Sequence, residues 1–174
     1  CDDGAFSVIS RSPAIFNNTL YTSGAGSKLR AYDSKTGTLK WSFGAGNLGW
    51  ANQPTVASDG TVFYLEEGGT SGTLYTLYAV DPDHGTEIWH APLQFNLGFK
   101  DTVIITVDES RNLVFMLEEP FEPDSGKIYA LVKSTGAVVW YKSKQTDGMS
   151  FEGDYVLIDG NMLYTEGRIE EAYL

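Results

Sequence analysis

The stretch Ala31-Tyr32-Asp33-Ser34-Lys35-Thr36-Gly37-Thr38-Leu39-Lys40-Trp41 decides the fold, because it occurs three times in 174 residues. It returns as Ala79-Val-Asp-Pro-Asp-His-Gly85-Thr-Glu-Ile-Trp89 and as Ala130-Leu-Val-Lys-Ser-Thr-Gly136-Ala-Val-Val-Trp140. The tryptophans that end the copies are 48 and 51 residues apart. A fixed period of this length is typical of a repeat architecture in which each unit is one small supersecondary structure.

Short strand patterns surround each copy of the motif. Asp59-Gly60 predicts a two-residue hairpin turn, and Gly85 is expected to supply the positive φ that the motif turn needs. No helical periodicity of useful length occurs. Four antiparallel strands in each unit predict an all-β chain of β-propeller blades rather than a sandwich. The predicted strands are 54–58, 61–67, 74–81 and 87–93 in the second unit, and 102–108, 112–119, 127–133 and 137–143 in the third.

The repeat divides residues 1–174 into about three and a half blades. The expected boundaries are about 12–43 for blade 1, 53–93 for blade 2, 101–143 for blade 3 and 154–174 for the start of blade 4. Residues 3–6 resemble residues 147–151, which follow the third Trp strand, so both ends are expected to fall inside blades. An open fan of sheets would leave strand edges unpaired. The sequence therefore predicts an incomplete ring. Its expected partners are, first, the remaining blades of the same propeller.

The pattern A-x-D-x-x-T-G-x-x-x-W resembles the docking motif of the PQQ-like (quinoprotein alcohol dehydrogenase-like) β-propeller repeat family. Two positions depart from it, since His84 replaces Thr and Val132 replaces Asp. In that family the Trp packs against the Gly-containing turn of a neighbouring blade, which implies a structural role for the motif. The residues concerned are Ala31, Asp33, Gly37 and Trp41 in the first copy, Ala79, Asp81, Gly85 and Trp89 in the second, and Ala130, Gly136 and Trp140 in the third.

Aromatic and acidic residues that recur between the motifs are the candidates for a binding face. The aromatic residues lie in the loops that follow the Trp strands, where they could contact a ligand or fill the loop interiors. The acidic pairs end the second strand of two units, where they could attract a basic partner or form a solvated charged rim. This candidate face consists of Trp50, Phe99, Phe151, Glu66, Glu67, Glu118 and Glu119.

Charge and composition exclude several classes of function. Lys and Arg number 12 against 23 Asp and Glu, a formal charge of −11, and no basic surface is available to replace phosphate counterions on nucleic acid. No apolar run approaches the roughly 18 residues that a membrane-spanning helix requires. Cys1 is the only cysteine, so an internal disulfide is impossible. Whether Cys1 carries a lipid stays open.

Signals for catalysis or metal binding are weak. His84 and His90 are the only histidines, and no nucleophile elbow or phosphate-binding glycine loop occurs. The segment 81–87 places oxygen ligands at alternate positions, but it is too short for an EF-hand loop. The sequence therefore predicts no catalytic residue, no metal ligand and no cofactor within this segment.

Two classes of function follow from the resemblance. The first is a non-catalytic scaffold for protein or ligand interaction outside the cytoplasm, in the periplasm, on the cell surface or in the medium. The alternative is a segment of a quinoprotein alcohol dehydrogenase, an enzyme that would hold PQQ and Ca²⁺ in the complete ring. The absence of catalytic signals within the segment favours the scaffold and leaves enzymatic activity of the parent protein open.

Overall fold

The computed structural model describes residues 12–24, 28–44, 52–67, 74–94, 103–118, 126–143, 156–159 and 162–165. Strands dominate the described residues, in agreement with the predicted all-β class. The first sheet contains β1 (Ala14–Phe16), β2 (Thr19–Gly24), β3 (Lys28–Asp33) and β4 (Leu39–Phe43). The second contains β5 (Thr55–Val56), β6 (Val62–Glu67), β7 (Leu74–Val80) and β8 (Glu87–Gln94). The third contains β9 (Val103–Asp108), β10 (Leu113–Glu118), β11 (Lys127–Val132) and β12 (Val138–Ser143), and a two-stranded sheet follows with β13 (Val156–Asp159) and β14 (Met162–Thr165).

Each four-stranded sheet follows the order of the chain, so every strand is hydrogen-bonded to its neighbours in sequence. This is the arrangement of a propeller blade, and the predicted fold class is confirmed.

The chain divides into two compact units, Cys1–Leu93 and Gln94–Leu174. The described residues contain no helix long and apolar enough to cross a membrane.

The burial of the strands follows their sequence patterns. In β8, side chains alternate between exposed and buried from Trp89 to Gln94, as expected for a strand with one covered face. In β10, the apolar run Val114–Leu117 is buried without alternation, because both faces of this inner strand are covered. In the first unit, buried residues of two blades form one core cluster: Tyr21, Leu29, Ala31, Val62, Tyr64 and Val80.

The hairpin turns differ from the prediction in one place. The N–H of Gly60 donates to the Ala57 carbonyl at 3.0 Å, and the N–H of Ala57 donates to the Thr61 carbonyl at 2.9 Å. The loop therefore has three residues and ends in a left-handed glycine with φ 92°, and the prediction of a two-residue turn was wrong. A two-residue turn does join β1 and β2, where Asn17 and Asn18 have φ 43° and 61°.

Candidate functional site

The turn of the repeated motif closes in the same way in all three copies. The N–H of the motif glycine donates to the carbonyl four residues earlier, and that earlier residue donates its own N–H to the carbonyl just after the glycine. A left-handed residue is needed at the glycine, where Cβ would be strained. The glycines are Gly37, Gly85 and Gly136, with φ 71°, 66° and 72°.

A carboxylate caps the turn in the first two copies. Oδ1 of Asp33 accepts hydrogen bonds from the backbone N–H groups of Thr36 at 2.8 Å and Lys35 at 3.0 Å. Oδ1 of Asp81 accepts from the N–H of His84 at 2.8 Å and from that of Asp83 at 3.0 Å. These turns are the local structure that the motif aspartate specifies, because a short acidic side chain can bond to backbone groups two and three residues ahead.

The replacement of Thr by His in the second copy keeps a contact to the same carboxylate. Oγ1 of Thr36 donates to Oδ1 of Asp33 at 3.0 Å, and Nδ1 of His84 lies 3.0 Å from Oδ1 of Asp81. Both side chains therefore support the cap. This departure from the motif preserves the structure of the turn.

The capping bonds lower the pKa of both aspartates below the ordinary value of 3.8. The backbone N–H of Thr36 is the main cause for Asp33, and the backbone N–H of His84 is the main cause for Asp81. A lowered folded-state pKa means that the carboxylates stabilise the folded chain above the ordinary value. This stabilisation is lost as the pH falls through the lowered folded-state pKa.

The third copy keeps the backbone of the turn without the carboxylate. The N–H of Gly136 still donates to the Val132 carbonyl at 2.8 Å, and the N–H of Val132 donates to the Ala137 carbonyl at 2.8 Å. By its place in the motif, Val132 corresponds to Asp33, and the N–H groups of Ser134 and Thr135 correspond to those that Asp33 caps.

We therefore expect Val132→Asp to stabilise the protein by about 0.5–1 kcal/mol at neutral pH, a value that allows for solvent screening of a charged hydrogen bond. The gain should disappear as acid protonates the new carboxyl. Urea denaturation at neutral and acidic pH measures both effects. Val132→Asn is the control, since it can form the hydrogen bond without the charge and should show a much smaller pH dependence. A destabilised Val132→Asp variant at neutral pH would contradict this reading of the turn.

Trp41 packs on the turn of the second blade, within the first unit. Its indole Nε1 donates to the Pro82 carbonyl at 3.0 Å. A Cβ added to Gly85 would lie 2.5 Å from Cδ2 of this ring, closer than atoms can approach. Gly85 therefore serves two physical needs, the left-handed turn and the space for the indole. Docking of Trp89 and Trp140 in the same manner stays a prediction.

A second aromatic residue supports each motif Trp, and the sequence analysis missed it. The ring centroids of Tyr21 and Trp41 are 5.8 Å apart, with an interplanar angle of 46°. Between them lies Ala31, which pairs with both residues across β2, β3 and β4 and is fully buried. A small residue is needed there to leave room for two rings. The same ring pair recurs as Phe63 with Trp89 at 5.8 Å and as Phe115 with Trp140 at 5.9 Å.

The structure buries the two predicted acidic residues that it describes. The exposed fraction is 5% for Glu66 and 0% for Glu118, so the interpretation of these two residues as a solvated rim is wrong. A long side chain at the end of a strand suggested exposure, but both glutamates lie on inner strands of four-stranded sheets. Trp50, Phe99, Phe151 and Glu119, and the side chain of Glu67, lie outside the described residues.

Buried tyrosines share the surroundings of these glutamates. Burial is the main cause that raises the pKa of Tyr64, and the charge of Glu66 adds to it. Burial likewise raises the pKa of Tyr129, with a further contribution from Glu118. Charge reversal at either buried glutamate should therefore destabilise the fold, so a loss of binding in such a variant would not identify a site for a basic partner. In the described part of the chain, no group of three or more His, Cys, Asp or Glu side chains could hold a metal ion.

Comparison with known proteins identifies the repeat. A family model described as outer membrane protein assembly factor BamB matches residues 4–99 and 74–170. Among curated proteins, none is similar enough to count as a match.

Solved structures share the fold. BamB from Moraxella catarrhalis is 19% identical with a TM-score of 0.68, and the match covers 92% of this chain and 47% of that chain. Quinohemoprotein alcohol dehydrogenase from Comamonas testosteroni is 21% identical with a TM-score of 0.58, covering 79% and 21%. The computationally designed Ika4 protein is 13% identical with a TM-score of 0.62, covering 95% and 89%. The chain thus spans less than half the length of the two natural proteins.

Proposed function

The chain belongs to the PQQ-like β-propeller repeat family, and from that premise we propose that it is part of a non-catalytic binding scaffold that acts outside the cytoplasm. The observation that carries the proposal is the family match, which spans both compact units and whose model is described as an assembly factor. The compartment would be the periplasm, the cell surface or the medium. The partner would be a protein or a peptide.

The uses of the motif side chains support this proposal. Asp33 and Asp81 cap turns, and Trp41 joins two blades. These polar and aromatic groups maintain the scaffold, so a partner would contact the loops and exposed edges that differ between blades. The outer strand β12 has such an edge, where Val139 and Tyr141 are exposed.

The test is a titration of the full-length parent protein with PQQ and Ca²⁺, followed by absorbance and by melting temperature. We expect no saturable change in absorbance and no shift in melting temperature. Saturable binding with a raised melting temperature would overturn the proposal in favour of a quinoprotein dehydrogenase, because a ligand that binds only the folded state stabilises it by mass action. Ca²⁺ alone is the control for an effect of the ion without the quinone.

The proposed compartment has its own test. Fractionation of the source cells, with the parent protein detected by antibody, should place it outside the cytoplasm. Recovery of the protein with cytoplasmic markers would contradict the proposed compartment. It would not affect the choice between a scaffold and a quinoprotein, which the titration with PQQ and Ca²⁺ decides.

A further inference from the structure

The outer strand of each blade forms the edge of its sheet. Within the described part of the chain, β4, β8 and β12 are the last strands of their sheets, and each pairs only with the strand before it. Backbone N–H and C=O groups on such an edge can pair with a strand of another protein. Because each outer strand contains a motif Trp, the three edges can be compared position by position.

The positions that flank the motif Trp are exposed in every blade. In β4, Leu39, Lys40 and Ser42 are exposed, although Trp41 docks on the second blade. These two blades meet through the faces of their sheets, in the core cluster that they share. The exposure of the edge positions is thus a property of the blade rim, and it persists where the next blade is in place.

Polar and charged side chains protect the edges of the first two blades. In β4, Nζ of Lys40 donates to Oγ1 of Thr19 at 2.7 Å. In β8, Nδ1 of His90 lies 2.7 Å from Oε1 of Glu87, and Pro92 has no backbone N–H to donate. Charged residues and proline on an edge strand disfavour pairing with a further strand.

The edge of the third blade has no such protection beside its Trp. Val138, Val139 and Tyr141 hold the flanking positions, and their exposed fractions are 48%, 52% and 50%. β-Branched and aromatic residues of this kind favour an extended strand. The ring of Tyr141 stacks on that of Tyr129 at 5.6 Å and 29°, and the Tyr129 hydroxyl donates to the Gln94 carbonyl at 2.9 Å. Because Tyr141 is already held in place, a partner can bind it at a small cost in conformational entropy.

The charge of this hairpin is opposite to that of the chain. Strands β11 and β12 and their turn contain Lys127, Lys133 and Lys142 and no Asp or Glu, whereas the whole chain has a formal charge of −11. Lys142 lies on β12 itself, directly after the exposed Tyr141. An added strand would therefore gain from an acidic residue near Lys142. A second copy of β12 would bring another lysine, on a chain of the same net charge.

We propose that the β12 edge, residues 138–143, binds an extended segment of a partner protein as an added strand. The segment places apolar side chains against Val139 and Tyr141 and a carboxylate near Lys142. Main-chain hydrogen bonds to β12 supply affinity, and the side chains supply selectivity. The inference rests on the proposed scaffold function and deepens it, since it names the surface and the chemistry of the partner.

The experiment measures binding of fluorescent synthetic peptides to the full-length parent protein by fluorescence anisotropy. The first probe has about nine residues, in which Val and Tyr alternate with Thr and a Glu stands at each end. We expect it to bind saturably. A probe with Lys in place of Glu should bind more weakly, by a margin that shrinks at high salt. A probe with a central Pro should lose most of the affinity, because it lacks a central N–H donor. Absence of saturable binding of the first probe would overturn the proposal.

Val139→Lys tests the site on the protein. The variant should fold, because Lys40 holds the same position in the first blade. Binding of the first probe should weaken about tenfold or more. The matched control is Ile88→Lys on β8, where Ile88 is 51% exposed, and it should change the binding by less than about twofold. Equal binding by Val139→Lys and the unmodified protein, both with the same melting temperature, would contradict the assignment to β12.

Two further measurements separate this inference from the alternatives. Sedimentation equilibrium of the protein alone should give the mass of one chain; association that Val139→Lys abolishes would make a second copy the occupant and overturn the proposal. If the first probe failed to bind and PQQ with Ca²⁺ also had no effect, the β12 site would be rejected and the scaffold function would stand. Saturable binding of PQQ would overturn the scaffold function itself, whereas the anisotropy measurement alone decides the β12 site.

Discussion

Replacing Gly85 by Ala should lower the free energy of unfolding by about 3–6 kcal/mol. Left-handed backbone geometry costs a residue with a Cβ about 1–2 kcal/mol. The added Cβ would also lie 2.5 Å from Cδ2 of Trp41, so the indole must move. Overpacking of this kind typically costs 1–3 kcal/mol, and the loss of the hydrogen bond to the Pro82 carbonyl adds about 1 kcal/mol. Urea denaturation of the variant measures the sum.

Gly37→Ala is the matched control for this prediction. The φ of Gly37 is 71° and that of Gly85 is 66°, so the backbone cost is nearly equal. No described atom lies within 4 Å of the Cβ that the substitution adds at Gly37, so this variant should lose only about 1–2 kcal/mol. Both variants should be measured under the same buffer conditions and protein concentration. Equal losses in the two variants would show that the indole does not restrain position 85.

The repeat architecture could be predicted because it depends on periodicity and on a few residues with narrow conformational choices. Each motif turn requires a glycine because its φ is positive. The motif aspartate tends to cap the turn because its carboxylate can accept a hydrogen bond from the backbone N–H two residues ahead. The predicted strands of the second and third units accordingly match the observed ones to within one residue at either end. The exception is β5, predicted over residues 54–58 and observed only at Thr55–Val56.

Other features depended on packing that a single sequence does not reveal. Glu66 and Glu118 look solvated because each lies in an acidic pair at a strand end, yet both are buried and lie on inner strands of their sheets. The contact between the rings of Tyr21 and Trp41 could have been predicted from the sequence, because the second strand of each of the three units contains an aromatic residue at the matching position. The loop at Asp59-Gly60 differed because the same dipeptide also suits a three-residue turn that ends in a left-handed glycine.

Replacing Trp89 by Ala should lower the free energy of unfolding by about 3–5 kcal/mol, the usual cost of removing a large buried aromatic residue. Trp89 is 9% exposed, and its ring centroid lies 5.8 Å from that of Phe63. Its removal would leave a cavity beside Phe63, and neighbouring strands can only partly collapse into it. Chemical denaturation gives the value, and a loss below about 1 kcal/mol would place Trp89 with surface residues.

Comparison with Trp140→Ala separates two contributions to the loss of stability: the burial of the indole, and its ring contact within the blade. Trp140 occupies the same motif position and lies 5.9 Å from Phe115, but it is 37% exposed. Since folding buries less apolar surface at Trp140 than at Trp89, we expect a loss of about 1–2 kcal/mol. If the two variants lost the same free energy, the ring pair within each blade would account for the whole effect. A larger loss for Trp89 would instead assign the difference to its greater burial.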